Sequence, residues 1–283
     1  MAEPRARPRV GGVGIGGIVG IALALLVALA GCSSDDGGEK KEPVAEQTTA
    51  PPPPAGPAAG KCYALPFDAA VAPTSEKDPI DCAQPHTSET VAVGTVNAIV
   101  DGHLLAIDSA HVQAQVATAC PEQLNKYLGG SIKNLRLSMI RPVWFTPTVK
   151  ESDAGAAWYR CDAVLLGGSE KLTETTGSIR GALKGEDIAK RYAMCGTAAP
   201  DAKDFQRVPC SARHSWRAID VVVFAQESYP GEKKVRAAGR TQCEDAGADF
   251  AEDPLVFEWG YEWPTAEQWE HGQKYGRCWA PVS

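Results

Sequence analysis

Two short stretches place a thiol and an imidazole four residues apart: Cys82-Ala-Gln-Pro-His86 and Cys210-Ser-Ala-Arg-His214. Reduced, such a pair offers a metal two ligands. Oxidised, the cysteine has no thiolate to give, and the histidine is left to satisfy backbone groups where the chain turns. The cysteine count favours the second reading. Of nine cysteines, one is Cys32 and eight follow it: Cys62, Cys82, Cys120, Cys161, Cys195, Cys210, Cys243 and Cys278. No C-x-x-C occurs, so neither a thioredoxin-like site nor a zinc ribbon has its usual spacing, and an even number in an exported chain reads as disulfides. No metal and no cofactor is expected. His86 with Glu89 is also a candidate binding pair whose charge could respond to pH.

Export is read from Cys32 itself. Arg5, Arg7 and Arg9 precede an apolar run from Val10 to Ala30, which ends in Leu29-Ala30-Gly31-Cys32. This is the order of a lipoprotein export signal, with Cys32 carrying the lipid and beginning the mature chain. The alternative is an uncleaved transmembrane anchor, since about 20 apolar residues span a bilayer. Either way the rest of the chain is expected outside the cytosol, attached to the cell membrane. Removing residues 1–31 takes away three Arg and one Glu, moving the net charge from −7 to −9. An acidic exported chain is a poor partner for nucleic acid.

Catalytic patterns are absent. No G-x-S-x-G, S-x-x-K or H-E-x-x-H is present, so no catalytic residue is assigned and an enzyme is not expected. A binding surface is suggested instead by Phe257, Trp259, Tyr261 and Trp263, which alternate with Glu258, Gly260 and Glu262. In a strand these four rings share one face, suited to sugar rings or an extended peptide. The competing reading is that the face is core, as the mainly apolar aligned positions Ile140, Pro142, Trp144 and Thr146 suggest.

The elements that must position these residues come in two similar blocks, Cys62–Cys161 and Cys195–Cys278, with four cysteines each in the same order. Pro147-Thr148 and Pro264-Thr265 lie fourteen residues before the last cysteine of their blocks, and Gly155 with Gly272 and Arg160 with Arg277 keep matching offsets. The blocks therefore read as a tandem duplication. Within them, Val112, Val116, Cys120 and Leu124 fall on one helix face, as do Val235, Gly239 and Cys243 after Pro230-Gly231. Tyr159, Cys161, Ala163 and Leu165 share one strand face, and Gly276, Cys278, Ala280 and Val282 another. Thr148-x-x-Glu151 and Thr265-x-x-Gln268 read as capping boxes. The expected fold is α+β: two tandem small domains, each a helix on a short antiparallel sheet stapled by two disulfides. Four cysteines allow three pairings per block. The assignment adopted is Cys62–Cys82, Cys120–Cys161, Cys195–Cys210 and Cys243–Cys278, chosen so that the later pairs tie helix to strand.

A cysteine near the start, then Cys82-x-x-Pro85-His86-x-x-Glu89 before a strand, a helix cysteine, Pro-Thr and a final cysteine together resemble the septum formation domain family of actinobacteria. Thr176-Gly-Ser-Ile-Arg-Gly-Ala182 resembles the Gly-Ser tail of that family. The second block departs: Arg213 and Arg217 stand where the proline and glutamate would be, and no tail follows. The resemblance implies an envelope protein near the septum, and no particular reaction. The expected organisation is a signal at 1–31, a Pro-rich disordered tether at 32–60, and septum-formation-like domains at 61–182 and, divergent, at 183–283. The expected function is non-catalytic: a protein-interaction module for a partner in division or wall assembly. The alternative is a peptidoglycan- or glycan-binding module, with an exported enzyme or metal protein behind it.

Overall fold

A computed structural model describes residues 52–185 and 190–282. The expected signal, Cys32 and residues 33–51 of the expected tether lie outside the described residues. Residues 52–58 have no regular structure and are mostly exposed; Gly60 then donates its N–H to the Thr90 carbonyl, where the folded chain begins.

The strands are β1 (Cys62–Tyr63), β2 (Ser88–Thr95), β3 (Ile99–Val100), β4 (His103–Leu104), β5 (Ile140–Phe145), β6 (Trp158–Gly168) and β7 (Lys171–Leu172), followed by β8 (Met194–Gly196), β9 (Arg207–Pro209), β10 (Trp216–Val223), β11 (Gly260–Glu262) and β12 (Tyr275–Pro281). The first sheet runs β1-β2-β6-β5, with β7 paired to β6, and the second runs β11-β12-β10-β8-β9. All pairings are antiparallel. β3 and β4 form a hairpin turned by Asp101 and Gly102, both at positive φ, the backbone that a two-residue hairpin turn demands.

The helix Ala110–Leu128 forms where the four-residue apolar period predicts. Ser109 caps it by accepting from the Val112 N–H, and Gly129 closes it in the left-handed region at φ 70°. Val112, Val116, Cys120, Leu124 and Leu128 are fully buried against the first sheet with Cys161 and Ala163. In the second block the periodicity predicts one helix, but two form, Glu232–Ala238 and Arg240–Phe250. They meet at Gly239, where a side chain would run into the Tyr261 ring, 2.3 Å from an ideal Cβ. Both capping boxes are present, Thr148 with Glu151 and Thr265 with Gln268.

The disulfides join Cys62 to Cys82, Cys120 to Cys161, Cys195 to Cys210 and Cys243 to Cys278. In each block the later pair ties a helix to a strand, β6 or β12. The blocks share a finer irregularity too. The register of β2 against β6 shifts between Thr90 and Ala92, and that of β10 against β12 between Ala218 and Asp220.

Two separate domains, however, are not evident. The described residues form a single compact unit. Met139 from the first block shares one buried cluster with Met194, Ala218 and Trp279 from the second, and Leu165 and Leu166 pack onto it. Backbone bonds cross as well: Met139 donates to the Tyr192 carbonyl and Met194 to that of Leu137. The physical reason is burial. The Trp279 side chain, 0% exposed, leaves water only in this shared cluster, which Leu165 and Leu166 at the end of β6 help close.

Candidate binding groove

The expected site residues divide into an interior group and a surface group. His86 and Glu89 are 1% and 2% exposed, so neither belongs to a binding surface. They clamp the segment expected to be a tail. His86 exchanges backbone hydrogen bonds with Thr175, and its Nε2 lies 3.3 Å from the Thr175 hydroxyl. Its Nδ1 sits 2.8 Å from the Gln84 carbonyl. His214 does the same locally, 2.7 Å from the Ala212 carbonyl. The Glu89 carboxylate accepts from the Tyr127 hydroxyl, the Ser178 hydroxyl and the Ile179 N–H at 2.5, 2.5 and 2.8 Å. Burial first, then that bond to Glu89, raises the Tyr127 phenol above its ordinary range. Arg180 covers the Tyr127 ring at 4.1 Å. Residues 175–183 thus strap the first disulfide loop and the end of the long helix to β2. His86 and Glu89 have separate partners, and no hydrogen bond or ion pair joins them. Cys82 and Cys210, being disulfide-bonded, hold no thiolate for a metal, and the described residues contain no cluster of three His, Cys, Asp or Glu placed to bind one.

A second interior group was not anticipated. Asp162, 0% exposed, accepts from the Ser88 and Thr90 hydroxyls at 2.7 and 2.8 Å and pairs with Arg160 at 3.1 Å. The Arg160 guanidinium lies between the Tyr63 and Phe145 rings. Burial raises the Asp162 carboxyl above the usual range, against the pull of Arg160 and the two hydroxyls. No motif points to it, because its two hydroxyl partners are more than 70 positions away in sequence.

The aromatic run behaves differently from the expected continuous strand face. Only Gly260–Glu262 is strand, because the chain arrives through the turn after Ala251 and just three residues reach β12. Tyr261 points inward, packed with Val222 and the Cys243–Cys278 disulfide. Burial pushes its phenol strongly upward, and its hydroxyl has no partner. Phe257, Trp259 and Trp263 stay half-buried. Together with Pro200, Trp216 and Arg236 they line an open groove of about 1000 Å³. The Trp263 ring already has the Arg236 guanidinium over it at 4.3 Å and Tyr261 beside it at 6.1 Å. Glu232, Lys233, Arg240 and Asp201 give the rim charges of both signs. The spacing of the rings does not point to Pro200, Trp216 or Arg236, although Trp216 belongs to the same ring-rich block.

Phe257 and Glu258 also line a neighbouring depression, with Leu255, Val256 and Val282 beside the acids Glu252 and Asp253. Leu255 and Val256 are 90% and 77% exposed.

Fold and groove define a disulfide-stapled α+β protein with two antiparallel sheets and one extended aromatic-aliphatic surface. The chain belongs to the septum formation family: the model for that family, described as Septum formation, matches residues 59–278 in one stretch across both blocks. Family membership points to a role connected with cell division. No curated protein and no solved structure matches the chain.

Proposed function

We propose that this chain is a non-catalytic envelope lipoprotein that docks on a protein partner of the division or wall-assembly machinery, with its groove as the docking surface. The carrying observation is that Phe257 and Glu258 line both the groove and the neighbouring depression that holds Leu255 and Val256. A strip that joins half-buried rings to exposed aliphatic side chains suits an apolar polypeptide segment. The four disulfides favour an oxidising compartment outside the cytosol, and Cys32 supplies the lipid anchor in this reading. The matching bulges, capping boxes and disulfides support duplication of one unit whose copies then fused through a common core.

A glycan platform is the second reading, supported by the rings of Trp259 and Trp263. Sugar stacking needs an open ring face, and Arg236 already covers one face of Trp263, which favours the protein partner. The test places a photo-crosslinking amino acid at Leu255 and, as a control, at exposed Leu104 in the full-length lipidated protein in cells. A partner crosslinked only from Leu255, whose purified form binds the protein and is lost tenfold or more by Trp263→Ala, supports docking. Pelleting with purified sacculi that Trp259→Ala abolishes, without such a partner, would replace it with the glycan reading.

A further inference from the structure

Where the two blocks meet, residues of both line a second, half-open cavity of about 470 Å³ that shares only Pro200 with the groove. One wall is apolar: Met139, Leu166, Met194 and Phe205. The other carries three guanidinium groups, from Arg141 on β5, Arg207 on β9 and Arg277 on β12.

Arg277 is 2% exposed. Its Nε donates to the Arg136 carbonyl at 2.9 Å and its Nη2 to the Tyr275 hydroxyl at 3.2 Å. Its Nη1 is buried without a hydrogen-bond acceptor, 3.6 Å from Glu262. Arg141 donates from Nη1 to the Ser138 and Ile140 carbonyls. Arg207 forms an ion pair with Glu262. That carboxylate therefore serves two arginines at once. The remaining acid on the lining, Glu170, is exposed at the tip of the β6–β7 hairpin.

Arg277 is buried and shares its one carboxylate with Arg207, and a buried cation is costly unless a counter-charge joins it. Burial first, and then repulsion from Arg277, lowers Arg141 to about 10; burial, Arg277 and Arg141 lower Arg207 to about 10. Both remain charged at neutral pH. Planar guanidinium forks suit carboxylate and phosphoryl oxygens.

We propose that this cavity is a binding site for a small organic anion, whose carboxylate or phosphoryl head meets Arg141, Arg207 and Arg277 while its apolar body lies against Met139, Met194 and Phe205. The site exists only when both blocks are in place, so a bound anion stabilises their union.

The test is calorimetric titration of the oxidised, folded protein with inorganic phosphate and with butyrate, against chloride at equal ionic strength. The expected result is saturable binding of one phosphate or one butyrate per chain, with chloride giving none. Phosphate alone assigns a phosphoryl head, and butyrate alone a carboxylate. Arg207→Gln, at the more exposed edge, should weaken binding at least tenfold. Glu262→Gln should strengthen it several-fold, because it removes the internal competitor. Circular dichroism confirms that both variants are folded, and if one is not, the other decides by itself. No saturable binding of either anion, or affinity unmoved in the folded variants, overturns the proposal.

Discussion

Glu89 shows what one buried carboxylate can organise. Its three donors come from the long helix and from Ser178 and Ile179 in the strap. Removing the acceptor leaves the buried Ile179 N–H without its partner and the Tyr127 hydroxyl with only Ser178, which is the costly side of hydrogen bonding. Glu89→Ala should lower stability by about 2–4 kcal/mol in urea unfolding. It should also open the strap to limited proteolysis between residues 175 and 183. A variant as resistant as the parent would mean the strap is held by other contacts. Asp162 makes a pH prediction of defined sign. Its carboxyl is raised in the folded state, so the folded chain holds that proton more tightly than the unfolded one. Its contribution is greatest below the unfolded value near 4 and declines as pH rises through the folded value. Measured as the difference between parent and Asp162→Asn, stability should fall as pH increases above about 4. A rising difference would show that Arg160 and the hydroxyls outweigh burial.

At the scale of elements, the break at Gly239 shows packing overriding a helical period. Val235 and Cys243 are buried as their spacing requires, yet Tyr261 presses so closely that only a residue without a side chain fits between the two helices. Gly239→Ala gains helix propensity of about 1 kcal/mol but must move a buried ring, at a cost of about 1–3 kcal/mol or more. A net loss in thermal stability is expected, and a higher Tm would show that Tyr261 can yield. The aromatic run follows the same logic. Alternation predicts which rings share a face, but the length of chain that pairs with β12 decides how many rings the strand includes. Only Tyr261 is captured, which leaves Phe257, Trp259 and Trp263 to form the groove.

For the whole molecule, the shared cluster around Met139, Met194 and Trp279 predicts joint unfolding of the blocks. Urea unfolding followed by hydrogen exchange should give one free energy for the amides of β2 and β10. Trp279→Ala should lower both together, by about 3–5 kcal/mol. Two separate transitions would instead mean two domains in contact. The same union builds the arginine-lined cavity, whose three cations come from three strands and from both blocks.

The sequence by itself determined what depends on neighbours along the chain. The helix face from Val112 to Leu124, the two capping boxes, the strand phase around Cys161 and Cys278, and the family likeness of Cys82-x-x-x-His86-x-x-Glu89 all rest on short spacings. His86, four residues beyond its cysteine, turned out to satisfy the turn there. Tertiary structure alone decided the rest, since distant residues meet only after the sheets form. It turned Glu89 inward to hold the strap and placed Asp162 on hydroxyls from the neighbouring strand. It also laid Arg236 on the Trp263 ring beside Trp216, and fused the blocks, since Met139, Met194 and Trp279 escape water only in a cluster that both supply.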